Sequence, residues 1–504
     1  MKNISRRSFL KTGAVAAAGL TIVPGSVLGK SFGYTAPSDK LNIAGIGVGG
    51  MGRRNLANMN TENIVALCDV DWHYADKTFK DYPKAKRFKD WRVMFDLMGK
   101  SIDAIMVATP DHTHAGVTAH AITLGKHCYT QKPLTHSVYE SRLLTKLAKK
   151  YKVATQMGNQ GNSFDWCRQI AEWIQSGVIG DVYEVHCWTD RPIWPQGLMK
   201  PNDTPKCPKT LDWDLWIGPA QKRPYNPVYT PWNWRGWWDF GTGALGDMAC
   251  HIMDPLYWAL DLKYPTSVIG SSTLSNLYSP PHAQIVTYTF PARPPKGNVK
   301  MPEVKVYWYD GGLMPPRPEE LKDGQMMGDE NGGIIFIGTK GKIMTGCYVI
   351  NPTLLPVSDM EHFNQPKPTI PRVKGGNGDI WSTNAHEQDW IRACKESPEN
   401  RTEASSNFQF SGPFNEMVVM GVLAVRLSGL QGLHRELQWD GENMRFTNIS
   451  PNDKIKIVTV DDFKVIDGDP RFDRRFAEFN AAEMANEWIK HTYNNGFSLP
   501  DMPR

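Results

Sequence analysis

The sequence has few cysteines, no internal repeat and little net charge outside its first residues. None of its eight cysteines belongs to a Cys-x-x-Cys pair, so we expect neither a redox dithiol nor a metal site. Residues 1–29 contain four lysines and arginines and no acid, so the formal net charge of +5 falls to +1 without them. This balance excludes the basic footprint of a nucleic-acid-binding protein.

The first residues are typical of a twin-arginine export signal. Arg6 and Arg7 are followed by Ser-Phe-Leu-Lys and by a 12-residue apolar run at 12–23. That run is too short to span a bilayer comfortably, and no later segment approaches the length of a membrane span. We predict a signal peptide over residues 1–29, recognition by the Tat export machinery and a periplasmic location.

A glycine-rich loop lies where a nucleotide-binding loop is expected. It reads Gly45-Ile46-Gly47-Val48-Gly49-Gly50, with an apolar run at 41–44 before it and a helical pattern at 51–60 after it. A loop between a strand and a helix aims the helix N-terminus at negative charge. We therefore predict that Gly45, Gly47, Gly49 and Gly50 hold a pyrophosphate.

Asp69 is the predicted ribose-binding residue. It lies nineteen residues after Gly50, in the next apolar run at 63–70, close to the spacing of about twenty expected for such a carboxylate. A carboxylate there would repel a 2′-phosphate, which favours NAD over NADP. Arg53 and Arg54 are near enough in sequence to neutralise a phosphate, so NADP remains an alternative.

Strands and helices alternate up to residue 157 and predict a doubly wound parallel sheet, a Rossmann domain over residues 40–160. Ligands of such sheets gather at the carboxyl ends of the strands. The loop Ala108-Thr109-Pro110-Asp111-His112-Thr113-His114 leaves one such end. Thr109, Pro110 and His114 are therefore predicted to contact the cofactor near its nicotinamide half.

The pattern becomes β-rich after residue 161 and predicts an α/β domain with an open, mostly antiparallel sheet over residues 161–460. Its Pro- and Gly-rich insertions lie at 280–297, 313–332 and 351–379. We expect these insertions to shape substrate access or subunit contacts. Residues 461–504 are predicted as a C-terminal helical extension, with a linker at 462–471 and a helix at 472–494.

The sequence resembles the Gfo/Idh/MocA oxidoreductases, which include glucose–fructose oxidoreductase and inositol dehydrogenases. The resemblance covers residues 40 to about 448. It rests on the two loops quoted above, Lys132-Pro133, Trp234-Arg235, and Gly243-Ala244-Leu245-Gly246-Asp247 with His251 and Asp254. It implies a bound nicotinamide cofactor and an open sheet of the kind that often forms oligomer interfaces, so a homo-oligomer is expected.

By this resemblance Lys132, Asp247 and His251 match the family's catalytic lysine, acid and histidine, and Trp234 and Arg235 touch the cofactor. Independently, Asp247 and His251 are four residues apart, which places them on one face of a helix. A histidine can take a hydroxyl proton while a carboxylate orients its ring. The lysine would stabilise the developing oxyanion.

Gln131 departs from the family pattern, which has glutamate before the lysine. A glutamine keeps the shape and the hydrogen bonding of that side chain but loses its charge. Altered catalysis, or a protein without activity, follows as an alternative.

A cluster of tryptophans indicates the substrate class. Six lie within residues 213–238, and Trp188, Arg191 and Trp194 precede them. Flat aromatic faces beside polar groups suit sugar rings, although any one of these tryptophans is also a candidate core residue. We predict a carbohydrate or polyol substrate, with Arg191, Trp194 and Asp254 as contacts.

Export of the folded chain constrains the cofactor. Because a soluble nicotinamide pool is scarce outside the inner membrane, the cofactor is expected to stay tightly bound and to be recycled in place by a second substrate or acceptor. The leading prediction is an exported NAD(P)-dependent oxidoreductase acting on CH–OH groups of a sugar, glycoside or polyol. The alternatives are a glycoside hydrolase or lyase that oxidises a ring carbon transiently, and a non-catalytic carbohydrate-binding protein.

Overall fold

The structure is a computed structural model that describes residues 39–378, 381–430 and 435–504. The predicted signal peptide, residues 1–29, lies outside the described residues. In the part of the chain that is described, no helix combines the length and the apolar composition needed to cross a membrane.

The first domain is built on a six-stranded parallel sheet with the order β3-β2-β1-β4-β5-β6. Its strands are β1 (Asn42–Ile46), β2 (Asn63–Cys68), β3 (Lys86–Phe88), β4 (Ala104–Val107), β5 (His127–Thr130) and β6 (Thr155–Met157). Its helices are α1 (Gly50–Asn58), α2 (Asp76–Asp81), α3 (Trp91–Met98), α4 (Asp111–Thr123) and α5 (Val138–Tyr151). The chain order reverses between β1 and β4, which is the switch point where such sheets bind ligands. The predicted doubly wound sheet is confirmed.

Helix α5 shows how local sequence sets these elements. Ser137 caps its N-terminus by accepting a hydrogen bond from the Glu140 amide, and the Glu140 side chain accepts one from the Ser137 amide in return. This reciprocal pair satisfies two amides that a helix end otherwise leaves without partners. It also fixes the buried Glu140 carboxylate.

The second domain contains a nine-stranded sheet with the order β15-β14-β13-β7-β12-β9-β8-β16-β17. Its strands are β7 (Val182–Thr189), β8 (Ser267–Ser272), β9 (Gln284–Phe290), β12 (Val304–Asp310), β13 (Gly332–Gly338), β14 (Lys342–Gly346), β15 (Thr353–Leu355), β16 (Leu437–Asp440) and β17 (Arg445–Phe446), with β10 (Arg293–Lys296) and β11 (Val299–Met301) as a separate hairpin. Only β7 and β12 pair in parallel. The prediction of a mostly antiparallel sheet is therefore confirmed.

The remaining helices pack against this sheet, against one another or against the first domain. They are α6 (Asp165–Ser176), α7 (Trp213–Ile217), α8 (Gly243–Ile252), α9 (Asp254–Ala259), α10 (Ala385–Cys394) and α11 (Phe408–Arg426). Helix α11 is apolar over most of its length and packs against β8, α5 and α8. It therefore joins the two domains through a shared core that continues from one sheet to the other.

The prediction for residues 461–504 is wrong over most of its length. Strands β18 (Lys454–Ile466) and β19 (Asp469–Asn480) form a long hairpin, and only α12 (Ala481–Ile489) is helical. The hairpin turns at Asp467 and Gly468, whose φ angles are 53° and 87°, as an Asp-Gly turn favours. Phe463 and Phe472 pair across it with ring centroids 5.0 Å apart. The predicted linker is thus the tip of the hairpin.

Residues 490–504 follow α12 and lie along the first domain. We call this segment the C-terminal strap. It packs against the loop after α7 and against α4 and α5.

Candidate active site

A cleft of about 520 Å³ lies at the carboxyl edge of the parallel sheet. The first domain contributes Gly47, Gly49, Gly50, Asp69, Tyr74, Trp91, Thr109, Pro110 and Lys132, the second contributes Arg191, Trp194, Trp232, Trp234, Arg235, Asp247, His251 and Tyr348, and the strap contributes Phe497. Residues from both domains therefore line one cleft, including Lys132, Asp247 and His251, which the resemblance matched to the family's catalytic residues.

The glycine-rich loop packs closely against the end of β4 and leads into the N-terminus of α1. Gly47 has a φ of 75°, and a Cβ there would lie 2.7 Å from backbone atoms of Ala108 and Thr109. Gly49 precedes α1, and within the described chain no side chain caps that helix. Uncapped amides at a helix N-terminus attract anions such as a pyrophosphate. Gly45 lies below the loop, against Val48 and Leu56, rather than in the cleft wall. The loop thus fits a dinucleotide.

Asp69, which directly follows β2, binds the backbone of the glycine-rich loop. Its Oδ2 accepts hydrogen bonds from the amides of Val48 (2.8 Å) and Gly49 (3.3 Å), and its Oδ1 accepts one from Asp71 (2.9 Å). An ionised carboxylate offers about four acceptor positions, so one remains for a ribose hydroxyl. Burial raises the pKa of Asp69 to about 6, against the effect of these three amides.

Lys132, Asp247 and Arg235 form one ion cluster. Nζ of Lys132 donates to Oδ1 of Asp247 (2.8 Å) and to its carbonyl oxygen (3.0 Å). Nε of Arg235 donates to the same Oδ1 (2.9 Å). Burial alone would raise the pKa of Asp247, but the two cations outweigh it and hold that pKa well below its usual range. The guanidinium of Arg235 stacks on Trp232 and Trp234, 4.2 Å from each ring centroid.

His251 lies one turn after Asp247 on α8 and faces the same cleft. Burial, and next the charge of Lys132, lower the pKa of His251 to about 3, so the imidazole is uncharged at neutral pH. Among the described residues, its Nδ1 has no hydrogen-bond partner. Its ring packs edge-on against Tyr348, with centroids 5.1 Å apart. Sequence analysis predicted that the Asp247 carboxylate orients the His251 imidazole. In the structure Asp247 is bonded instead to Lys132 and Arg235.

Thr109 and Pro110 line the cleft, while His114 stands behind them. His114 is buried, with Nδ1 2.9 Å from the carbonyl oxygen of Pro133 and Nε2 2.8 Å from that of Thr109. Burial lowers the pKa of His114 to about 4. This histidine ties the loop after β4 to the segment that carries Lys132 and does not itself reach the cleft.

Two of the three predicted substrate contacts line the cleft and the third does not. Arg191 and Trp194 line the cleft. Asp254 instead lies buried behind it, where it accepts hydrogen bonds from Asn159 (2.9 Å) and Asn162 (2.8 Å). The structure therefore gives no contact between Asp254 and the cleft.

The tryptophan cluster divides between the core and the cleft wall. Trp237 and Trp238 are 1% and 2% exposed and belong to the core, whereas Trp232 is 48% exposed. Trp216, Trp232 and Trp234 line the cleft. Trp216 and Trp234 are also buried, so the core interpretation holds for most of the cluster and fails for the exposed Trp232.

Gln131 belongs to a buried amide chain. Its Nε2 donates to Oδ1 of Asn55 (2.9 Å), and Nδ2 of Asn55 donates to Oε1 of Glu387 (2.8 Å). A carboxylate is thus present in the network, although it comes from α10 in the other domain. Burial raises the pKa of Glu387.

Sequence analysis missed several residues of the wall. Tyr348 and Trp381 flank the insertion predicted at 351–379, with ring centroids 5.4 Å apart, and Trp91 and Phe497 lie at the other end of the cleft. Only the insertion gave a signal, as a predicted shaper of substrate access. No group of three or more His, Cys, Asp or Glu side chains that fits a metal ion occurs in the ranges that the structure describes.

Three family models match the chain. One, described as an oxidoreductase family NAD-binding Rossmann fold, matches residues 41–159. A second, the C-terminal alpha/beta domain of an oxidoreductase family, matches residues 169–272. A twin-arginine translocation signal matches residues 3–22. The chain therefore carries the predicted export signal, which directs it to the twin-arginine route and typically to the periplasm.

Curated relatives match part of the chain. An alpha-N-acetylgalactosaminidase of Shewanella oneidensis and a glycosyl hydrolase family 109 protein of Shewanella baltica are each 24% identical over 208 residues, 36% of this chain and 45% of the relative. The rhizopine catabolism protein MocA of Rhizobium meliloti is 29% identical over 93 residues, 18% of this chain and 29% of that protein. The chain thus spans less than half the length of these relatives.

Solved structures share the fold. The WlbA dehydrogenase of Bordetella pertussis, in complex with NADH and UDP-GlcNAcA, has a TM-score of 0.52 at 16% identity and covers 80% of this chain and 100% of its own. The WlbA dehydrogenase of Chromobacterium violaceum has a TM-score of 0.54 at 17% identity, over 80% and 97%. The two consecutive matches show that the chain carries the NAD-binding and C-terminal domains of the Gfo/Idh/MocA oxidoreductases.

Proposed function

We propose that the protein is an exported oxidoreductase that holds NAD tightly and removes hydride from a hydroxyl-bearing carbon of a sugar, glycoside or polyol. One observation carries this proposal. Lys132 of the first domain meets Asp247 of the second at 2.8 Å, in the same cleft as His251 and the glycine-rich loop.

The residues of the cleft divide the chemistry between them. The Lys132 ammonium, fixed by Asp247, donates to the substrate oxygen and stabilises the negative charge that develops there. The uncharged His251 imidazole accepts the hydroxyl proton. A bound nicotinamide would accept the hydride. Trp194, Trp232 and Trp234 present aromatic faces to the substrate and exclude water.

Two observations support NAD rather than NADP. Asp69 keeps a carboxylate at the ribose end of the loop, where a 2′-phosphate would meet like charge. Arg53, which sequence analysis kept as a phosphate partner, donates instead to Asp81, with Nε 2.6 Å from Oδ2.

The proposed substrate class is supported by the residues that line the cleft and by the similar proteins. Arg191 and six tryptophans line the cleft, as suits a ring with hydroxyl rims and C–H faces. A solved relative with UDP-GlcNAcA and curated relatives named as glycoside hydrolases support a carbohydrate. A second substrate or acceptor would then recycle the cofactor, and a homo-oligomer remains our prediction.

Tyr348 favours a second candidate function, NAD-dependent glycoside cleavage. Transient oxidation of a ring hydroxyl acidifies the neighbouring C–H, so the substituent can leave with a proton. Water then adds and the hydride returns to the ketone, which leaves no net redox change. This sequence needs two proton-handling groups, and Tyr348 with His251 supplies a pair. Burial raises the pKa of the Tyr348 phenol, so it stays protonated and able to donate.

Product analysis separates these functions. The purified protein is incubated with a panel of sugars, glycosides and polyols, with and without an added aldose as acceptor, and the products are identified by mass spectrometry. A ketosugar with a reduced cofactor or reduced acceptor supports the oxidoreductase. A released aglycone without net redox change supports the glycosidase. Neither product, from protein with bound cofactor, would leave the carbohydrate-binding alternative.

A further inference from the structure

The C-terminal strap reaches the cleft at the end opposite to the catalytic residues. Phe497 lines the cleft together with Trp91, which follows β3, and Thr113 of α4. Strand β3 lies beside β2, whose end carries Asp69. In a sheet of this topology the adenosine half of a dinucleotide lies beyond the ribose-binding carboxylate. Phe497 is therefore at the adenosine end.

The backbone of the strap aims this ring at the cleft. Asn495 and Gly496 have φ angles of 58° and 76°, and the Phe497 amide donates to the carbonyl oxygen of Asn494 (3.0 Å). Positive φ at both central residues reverses the chain within four residues. The ring then lies 6.4 Å from the ring of Trp91, centroid to centroid.

Side chains hold the strap in place. Nδ2 of Asn495 donates to the carbonyl oxygens of Gly218 and Ala220, both at 2.8 Å. The amide and Nδ2 of Asn494 both lie 3.0 Å from the carbonyl oxygen of Pro219. The Tyr493 hydroxyl donates to Oε1 of the buried Glu140 (2.8 Å). The turn that carries Phe497 is thus fastened to the loop after α7, and Tyr493 just before it is fastened to α5.

We propose that the strap is a latch for the cofactor, with Phe497 and Trp91 together forming an aromatic wall against the adenine ring. Aromatic side chains stack on a base in this way in many nucleotide sites. The cofactor then leaves only when the strap detaches, which gives a physical basis for tight binding. This inference rests on the proposed function, because it requires a bound nicotinamide dinucleotide.

The test measures release of the cofactor rather than turnover. Full-length protein is loaded with NADH and mixed with excess NAD, and the loss of nicotinamide fluorescence gives the dissociation rate. We expect Phe497→Ala to raise that rate at least tenfold. Asn495→Gly, which keeps the turn but loses two hydrogen bonds, is expected to raise it as well. Phe472→Ala, which changes an exposed phenylalanine of the β18–β19 hairpin, serves as the matched control and leaves the rate unchanged.

Reduced nicotinamide mononucleotide, which lacks the adenosine half, makes the test specific. Its affinity stays the same in Phe497→Ala if the ring acts on adenine. An unchanged NADH rate in Phe497→Ala, or an equal loss of affinity for the mononucleotide, overturns the latch. Phe497→Leu keeps the apolar packing without a flat ring and is expected to release NADH faster than the wild type, with an unchanged thermal midpoint. A wild type that binds neither NADH nor NADPH refutes the proposed function itself.

Discussion

The ammonium of Lys132 lies 2.8 Å from Oδ1 of Asp247, although the two residues are 115 positions apart in the chain. Lys132 follows strand β5 of the first domain, and Asp247 belongs to helix α8 of the second. The pair therefore links the two domains at the end of the cleft that contains the proposed catalytic residues. Arg235 bonds to the same oxygen, so one carboxylate holds two cations.

Lys132→Met should remove turnover while the protein stays folded. The ammonium is the donor placed to stabilise the developing oxyanion, so we expect turnover to fall by about 10² to 10³. Bound cofactor, measured by absorbance after release, should be retained. Lys100→Met, at an exposed lysine, is the control and should match the wild type. Equal rates in the two variants would remove Lys132 from the mechanism.

Asp247→Asn should destabilise the protein, because it leaves Lys132 and Arg235 without their counter-ion. Breaking a buried pair costs about 3 kcal/mol of unfolding free energy, which a lowered thermal midpoint should report. Asp81→Asn breaks the exposed pair with Arg53 and should have little effect. Since the folded pKa of Asp247 is depressed, its contribution is present above about pH 4 and is lost as the pH falls below that. The variant should lose this acid sensitivity.

His251 should not titrate between pH 5 and pH 8. Its pKa is lowered to about 3, so the imidazole stays uncharged throughout that window. NMR spectra of the ring should show constant shifts there, and His251→Gln should cut turnover by about 10² to 10⁴. A ring that titrates near its ordinary pKa would contradict the buried, uncharged imidazole.

Asp69 should control the choice between NAD and NADP in a pH-dependent way. Its pKa is about 6, so lowering the pH from 8 to 5 neutralises the carboxylate and weakens the preference for NAD. Asp69→Asn should abolish that dependence and tighten NADP binding by about tenfold, a change of about 1.4 kcal/mol. Calorimetric titration checks both. Asp71→Asn is the neighbouring control, and a larger effect there would reassign the ribose contact.

Trp232→Ala and Trp237→Ala should separate binding from folding. Trp232 is 48% exposed at the cleft and Trp237 is 1% exposed in the core. We expect Trp232→Ala to raise KM with little change in the thermal midpoint. Trp237→Ala should cost about 3 to 5 kcal/mol of stability. The reverse pattern would mean that Trp232 is structural.

The resemblance to the family grouped Lys132 with Asp247 and His251, and local pattern placed Lys132 after a strand and the other two on one helix face. The sequence also predicted the parallel sheet and most strand positions. It did not predict the partner of Asp247, since Arg235 and Lys132 compete for that carboxylate only once the domains are packed.

Other errors arose where side-chain pattern was ambiguous or distant contacts decided the outcome. The apolar residues of 472–480 fall at 472, 476, 477 and 479, which is a helix-like spacing. In the structure this segment instead pairs with β18 as a strand, with Phe463 opposite Phe472. Asp254 was assigned to the substrate, yet Asn159 and Asn162 bind it inside the fold. Phe497 reaches the cleft through a turn whose anchors are far away in sequence.

The distance along the chain between the strap and its anchors sets an order of assembly. Glu140 and Tyr493 are 353 residues apart. The nucleotide-binding domain can therefore fold long before Phe497, which completes the cleft wall, leaves the ribosome. A cofactor that enters during this interval is enclosed when Phe497 arrives. Because the chain bears a twin-arginine signal, a cofactor bound in the cytoplasm would then be retained by the strap while the folded protein is exported.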